Sequence, residues 1–397
     1  MKIGVLLENP INVGGGFNQA LNAILQLRRL VGERHTVVVY TTIHANLEHL
    51  QRLKINAAIL TSESVLVDRV SRGVSRRIGL NQGDQGKAAR RIEQALLANG
   101  VDLVYFVTHS STPNHFRKLN YITTVLDLCH RDNLEFPEVS ANGQFAERDL
   151  HFATCLPRAF AIIIASRELA GKIITRYGVD YERMVTMPFE PSPFLTDEHS
   201  IARDEVLNSH ELTPGYYFYP AQFWPHKNHL RLLEAFSGAR QNYPDLALVL
   251  SGGRKYDFPK VKAKVQELGL EKAVHFLGYV PNADLAGIYR RARGLIMPTF
   301  FGPTNIPPLE AMACACPVIV SDIYGMREQC GDAALYFDPA SADQIRDAME
   351  SLWKEDALYD RLAVNGRKRA AMWGQCEFNS GLSKIVSEIL PAVPPPV

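Results

Sequence analysis

Two kinds of segment alternate along the chain. Residues 2–8 form a near-continuous apolar run, the pattern of a strand covered on both faces. Short runs of the same kind recur at 36–40, 57–60, 103–107, 122–126 and 161–165, with helical periodicity between most of them. That alternation predicts a parallel sheet flanked by helices. A second series follows, with strands expected at 216–219, 246–250, 274–277, 295–297 and 318–320 and helices between them. Residues 187–194 hold three prolines and read as an extended connection between the two series. Beyond residue 341 the pattern is helical, 378–390 is placed to pack back across the first half, and the proline-rich end reads as disordered. The chain therefore reads as α/β, with two Rossmann-like doubly wound domains facing across a cleft. The boundaries expected are 1–190 for the first domain, 191–375 for the second, and 376–397 for a helix returning to the first domain plus a flexible tail.

Bulk properties narrow the class. At 397 residues the chain is too long for one ordinary core. Its 43 basic and 42 acidic residues lack the broad positive excess of a dedicated nucleic-acid binder. The six cysteines are scattered in apolar contexts, as expected of reduced thiols. Cys314 and Cys316 have no second Cys/His pair at ligand spacing and read as small buried hydrophobes. The amino terminus runs straight into a strand rather than a signal peptide, and no apolar run reaches the ~20 residues of a membrane helix. A cytoplasmic protein is expected, with peripheral contact at the inner face of the membrane left open. Residues 69–91 bear on that contact, because Arg69, Arg72, Arg76, Arg77, Lys87, Arg90 and Arg91 cluster there. They form either a solvated face and loop or a surface for anionic headgroups or a phosphorylated acceptor.

Candidate chemistry lies where predicted strands end, the place where doubly wound sheets hold ligands. After the first strand come Gly14, Gly15 and Gly16, which either serve a tight turn or let the backbone approach a ligand. Asp127 and His130 follow the strand at 122–126 and either cap the loop or face the crevice, where Asp127 would take a proton or orient a hydroxyl and His130 bind a sugar or phosphate. His109 and His115 sit on another such loop. Lys227 opens a helix and can reach a phosphate beside its N-terminus, and Arg254 follows a Gly-Gly pair. Between 294 and 322 a strand, a turn of small and polar residues and a helix follow in order. Thr304 or Asn305 can cap that helix, Ile306 begins it, and its first N–H groups favour an anion. Glu310, one turn in, suits an ionised carboxylate accepting hydrogen bonds from vicinal hydroxyls. A phosphate cradle beside a hydroxyl acceptor suits a nucleotide sugar. Tyr289 reads as core.

These residues resemble a known family. The run 225–229 (PHKNH), 276–280 (FLGYV), and 307–313 (PPLEAMA) with 317–319 (PVI) look like the retaining nucleotide-sugar glycosyltransferases of the mannosyl, rhamnosyl and glycogen-synthase type, which have the GT-B fold. Gly14–Gly16 resemble that family's glycine loop, and 127–131 (DLCHR) resemble a version seen in bacterial polysaccharide transferases. The resemblance implies that Glu310 holds the ribose, Lys227 the diphosphate, and the backbone of 303–306 the donor sugar. Gly15 and Gly16 would close over the phosphates, with Asp127 and His130 toward the acceptor. It implies hexosyl transfer with retention from a nucleoside-diphosphate sugar, mannose- or rhamnose-like, to a hydroxyl of a growing glycan such as O-antigen. The nucleotide sugar is a co-substrate and no cofactor is implied. No Asp-x-Asp pair on a suitable loop asks for a metal. Two positions depart from the family pattern. Gly302 stands where a second glutamate is common, and Gln222 stands where an arginine is common, with Arg254 as a candidate to compensate. Two alternatives stay open: an epimerase on the same fold, which needs catalytic carboxylates in the cleft and is weakened by Gly302, and a catalytically silent nucleotide-sugar-binding partner subunit, which has only the two departures in its favour.

Overall fold

The computed structural model describes residues 1–10, 15–30, 35–60, 82–187, 195, 207–208, 210–302, 305–373 and 378–392. Two all-parallel sheets account for its strands. The first runs β1 (Lys2–Leu7), β2 (Thr36–Thr41), β3 (Ala57–Ile59), β4 (Leu103–Phe106), β5 (Asn120–Val125), β6 (Ala161–Ile164) and β7 (Met184–Thr186). The second runs β8 (Tyr217–Pro220), β9 (Leu248–Ser251), β10 (Val274–Gly278), β11 (Gly294–Met297), β12 (Val318–Ser321) and β13 (Ala334–Phe337). Their spatial orders are β3-β2-β1-β4-β5-β6-β7 and β10-β9-β8-β11-β12-β13. Each order reverses direction at its first strand, between β1 and β4 and between β8 and β11. Those reversals open crevices at the carboxyl ends of the strands.

Alternation along the strands explains the two-sided burial. Ile3, Val5 and Leu7 of β1 pack on one face of the first sheet, with Leu103 and Tyr105 of β4 and Ala161 and Ile163 of β6. Leu6, Val104, Phe106, Ile162 and Ile164 pack on the other. The second domain buries a single larger core built on the same rule. The eleven strands read from the sequence all form. β7 and β13 are additional.

The last described helical segment, from the helix Phe378–Lys384 through Leu390, buries Leu382, Ile385 and Leu390 in the first domain's core beside Met187. Residues 61–81, which include Arg69 to Arg77, and the connection at 188–194 lie outside the described residues. Lys87, Arg90 and Arg91 are exposed on the helix Gln82–Ala98. No described helix is long and apolar enough to cross a membrane.

One buried carboxylate shapes the approach to the crevice. Glu93, 5% exposed, accepts the amides of Arg117, Lys118 and Leu119 at 2.7, 2.6 and 3.0 Å and so fixes the turn that feeds β5. Replacing Glu93 by Gln keeps an acceptor but removes the charge that strengthens three hydrogen bonds. A loss of about 2 kcal/mol in unfolding free energy is expected, read as a lower urea midpoint at unchanged slope. An unchanged midpoint would show the turn to be held by other contacts.

Candidate functional site

Loops from both sheets meet at the reversal points. From the second domain, β8 leads through Pro220 into a single tight turn, Pro225–Lys227, and then the helix His229–Asn242. Asn228 joins them with φ +60°, a conformation asparagine tolerates better than most residues. Its buried amide donates to the carbonyls of Pro298 and Pro339 at 3.0 and 2.8 Å. Lys227 is thereby held at the mouth of the crevice, half-buried, with Nζ 3.5 Å from Asn305 Oδ1. Burial lowers its pKa to about 8, although Asp127 and Glu138 of the other domain pull the opposite way.

From β11 the chain reaches Gly302 and the helix Ile306–Ala313. Asn305 occupies the N-cap but does not cap the helix with its side chain. That amide instead donates to Gly302 O at 2.9 Å. Pro307 and Pro308 have no N–H, so few donors remain at this helix end and they are not taken by a side-chain cap. Gly302 has φ +114°, and a Cβ there would lie 2.9 Å from Asn305 Nδ2. A glutamate at this position would be strained, so the departure noted in the sequence is built into the backbone. Thr304 lies outside the described residues. Ile306 is buried with Leu309 and Trp373 against Ala165 of the first domain.

Glu310 lies one turn in, 5% exposed, and accepts from Tyr289 Oη at 3.1 Å. Burial raises its pKa to about 7, with the Tyr289 hydrogen bond acting against the rise. Near neutrality the unliganded site holds a mixture of carboxylate and carboxylic acid. Tyr289 is core, as read, but its hydroxyl also aims Glu310.

On the next loop, Gly252 packs so closely on the Ala221 carbonyl that no side chain fits, and its amide donates to Gly278 O at 2.7 Å. Arg254 beyond it is exposed, with its guanidinium over the Phe258 ring at 4.9 Å. Gln222 accepts from Trp224 Nε1 at 2.9 Å and lies beside Gly253.

In the first domain, Gly15 and Gly16 are the first residues of the helix Gly15–Leu30. Residues 11–14, Gly14 among them, lie outside the described residues. Asp127 accepts from the Cys129 amide at 2.9 Å and from Arg148 Nη2 at 2.7 Å. Burial would raise its pKa, but Arg148 and the Cys129 amide outweigh burial and hold it below the ordinary carboxylate range. Such a group is a poor proton acceptor, which corrects the base role. His130 is fully buried against Phe145 and Phe152, with Nε2 3.3 Å from Tyr177 Oη. Burial lowers its pKa to about 4. The single helical turn Cys129–Asp132 carries the ring inward, away from an acceptor. The exposed histidine of the post-strand loops is His109, which feels both Arg148 and Asp127.

Two groups close the crevice that periodicity did not reveal. Glu138 Oε1 accepts from the His226 amide at 3.0 Å and lies 2.5 Å from His226 Nδ1, next to Lys227. His226 stacks on Phe301 at 3.9 Å. Glu168 accepts from the Gly325 amide at 2.8 Å, and Glu328 accepts from Arg167 N at 3.0 Å, so the domains touch on both sides of the crevice.

Comparison with known proteins bears on the fold and the family. Residues 203–369 match the sequence profile of the glycosyl transferases group 1 family. The chain is 30% identical over 240 residues to O-antigen chain mannosyltransferase B of Escherichia coli, covering 59% of this chain and 62% of that relative. It thus spans less than two thirds of that protein. A glycosyltransferase from Rickettsia africae superposes with a TM-score of 0.72 at 14% identity, covering 98% of this chain and 99% of that one. Anabaena HepE, solved with UDP and glucose, gives 0.72 at 16% identity over 99% of this chain and 100% of its own.

Proposed function

We infer, from the match of residues 203–369 to the glycosyl transferases group 1 family and from the GT-B fold, that the protein moves a hexosyl group from a nucleoside-diphosphate sugar to a hydroxyl of a growing glycan. The observation that carries this reading is the line Lys227, Asn305, Glu310. A cation stands 3.5 Å from the N-cap residue of a helix whose first turn lacks a side-chain cap, and a buried carboxylate follows one turn later. Lys227 and the helix N-terminus would take the diphosphate and stabilise it as it leaves. Glu310 would accept the ribose hydroxyls. The acceptor would lie against the first domain near His109 and the Asp127–Arg148 pair. Contacts such as Glu138–His226 hold the two walls together, which excludes water and favours transfer over hydrolysis.

Retention and a mannose-like sugar are the finer parts of the proposal; the relative named O-antigen chain mannosyltransferase B supports the sugar, and retention rests on the resemblance of the sequence motifs alone. Peripheral contact with the inner membrane face through Arg69–Arg91 belongs to the same reading, with Lys87, Arg90 and Arg91 exposed on one helix. The test is thermal unfolding with GDP-, UDP-, dTDP- and ADP-sugars, on the protein and on Glu310→Ala. Stabilisation that grows with concentration for one nucleotide, and is lost in the variant, is the expected result. No stabilisation by any of the four at millimolar concentration would overturn the reading.

A further inference from the structure

We propose that Gln329 is a positioning residue of the donor site, acting through Asn305. The inference rests on the donor reading just given. Gln329 is fully buried and spends both halves of its amide on one residue. Its Oε1 accepts from Asn305 N at 3.0 Å, and its Nε2 donates to Asn305 O at 2.5 Å. The clamp leaves only the Asn305 side chain free to turn, and that side chain is itself tied. Nδ2 donates to Gly302 O at 2.9 Å, and Oδ1 accepts from Lys227 Nζ at 3.5 Å. Gln329 therefore fixes, through one intermediate residue, the spacing between Lys227 and the start of the helix Ile306–Ala313.

Gln329 is anchored in turn. Its carbonyl accepts from Arg369 Nε at 2.9 Å, and Arg369 also holds the Glu328 carbonyl. The Glu328 carboxylate receives the Arg167 amide of the first domain at 3.0 Å. A run of hydrogen bonds thus links the first domain to the position of the lysine ammonium. Donors aimed at a leaving diphosphate act strongly when they are already in place and need no reorganisation.

The test compares GDP with GMP, and UDP with UMP, by titration calorimetry. Wild type, Gln329→Met, Asn305→Ala and the double variant are measured. In Gln329→Met the preference for diphosphate over monophosphate is expected to fall about tenfold, with monophosphate affinity within twofold of wild type, because Glu310 is untouched. Asn305→Ala is expected to show the same selective loss, and the double variant no more than either alone. Equal losses for mono- and diphosphate, or additive losses in the double variant, would overturn the proposal and leave Gln329 a purely structural residue. Should Gln329→Met not fold, Gln329→Glu, which keeps an acceptor for Asn305 N and removes the donor to Asn305 O, replaces it: a selective diphosphate loss supports the relay and an unchanged preference overturns it. If wild type binds none of the four nucleotides, the donor-site reading falls and this one with it. Binding by wild type with an unchanged preference in the variants sinks the relay alone.

Discussion

Glu310→Gln should bind nucleotide far more weakly and yet, at pH 8, unfold at a higher temperature than the natural chain. Both effects have one cause. The carboxylate is 5% exposed and its pKa rises from 4.5 to about 7, because burial disfavours the charged form. A proton therefore binds more tightly to the folded protein than to the unfolded chain. The stability this group lends is complete below pH 4.5, is lost as pH rises to about 7, and is flat above that. Glutamine imitates the protonated form at every pH. At pH 8 the variant should gain about 1–3 kcal/mol, and the gain should shrink toward zero near pH 4. Nucleotide affinity moves the other way, since glutamine loses charge-assisted bonds to two hydroxyls, a cost of about 2–4 kcal/mol or roughly 30- to 1000-fold in Kd. In the natural chain, Kd should rise about fivefold between pH 8 and pH 6, the roughly tenfold loss as Glu310 takes up its proton being offset about twofold as Lys227 becomes fully charged. Calorimetric titration and thermal unfolding across pH 4–9 measure both arms. A variant less stable than the natural chain at pH 8, or one that keeps its affinity, would remove Glu310 from the donor site.

Eleven of the strands, and the placing of Lys227 after β8 and of Asn305 and Glu310 after β11, were legible in the sequence. Burial on both sheet faces writes continuous apolar runs, and small polar residues mark the loops between them. What stayed hidden depends on partners distant in the chain. β7 is three residues long and is covered by a helix that begins at Phe378. The roles of Gln329 and Tyr289 depend on hydrogen bonds to Asn305 and Glu310 that no local periodicity encodes. His130 was read toward the crevice because it follows a strand, yet one helical turn places it inside. His109, with the weaker sequence case, is the one left exposed.

Lys227 gives the other large effect. Its pKa of about 8 lies just above that of Glu310 at about 7, so the free protein has both groups ionised over a narrow range. The kcat/KM for the donor should therefore be bell-shaped in pH, with an acid limb near 7 from Glu310 and an alkaline limb near 8 from Lys227. Lys227→Met removes the cation placed beside Asn305 Oδ1. Losing a charge aimed at a leaving group costs about 3–4 kcal/mol, so kcat/KM should fall roughly 100- to 1000-fold and the alkaline limb should vanish. Lys227→Arg separates charge from geometry. Guanidinium stays protonated, so the alkaline limb should disappear there too. The rate should recover only in part, because the planar fork does not occupy the position of a compact ammonium. Glu310→Gln should erase the acid limb and leave the alkaline one. An alkaline limb that survives in Lys227→Arg would assign that titration to another group and free Lys227 from the role given to it.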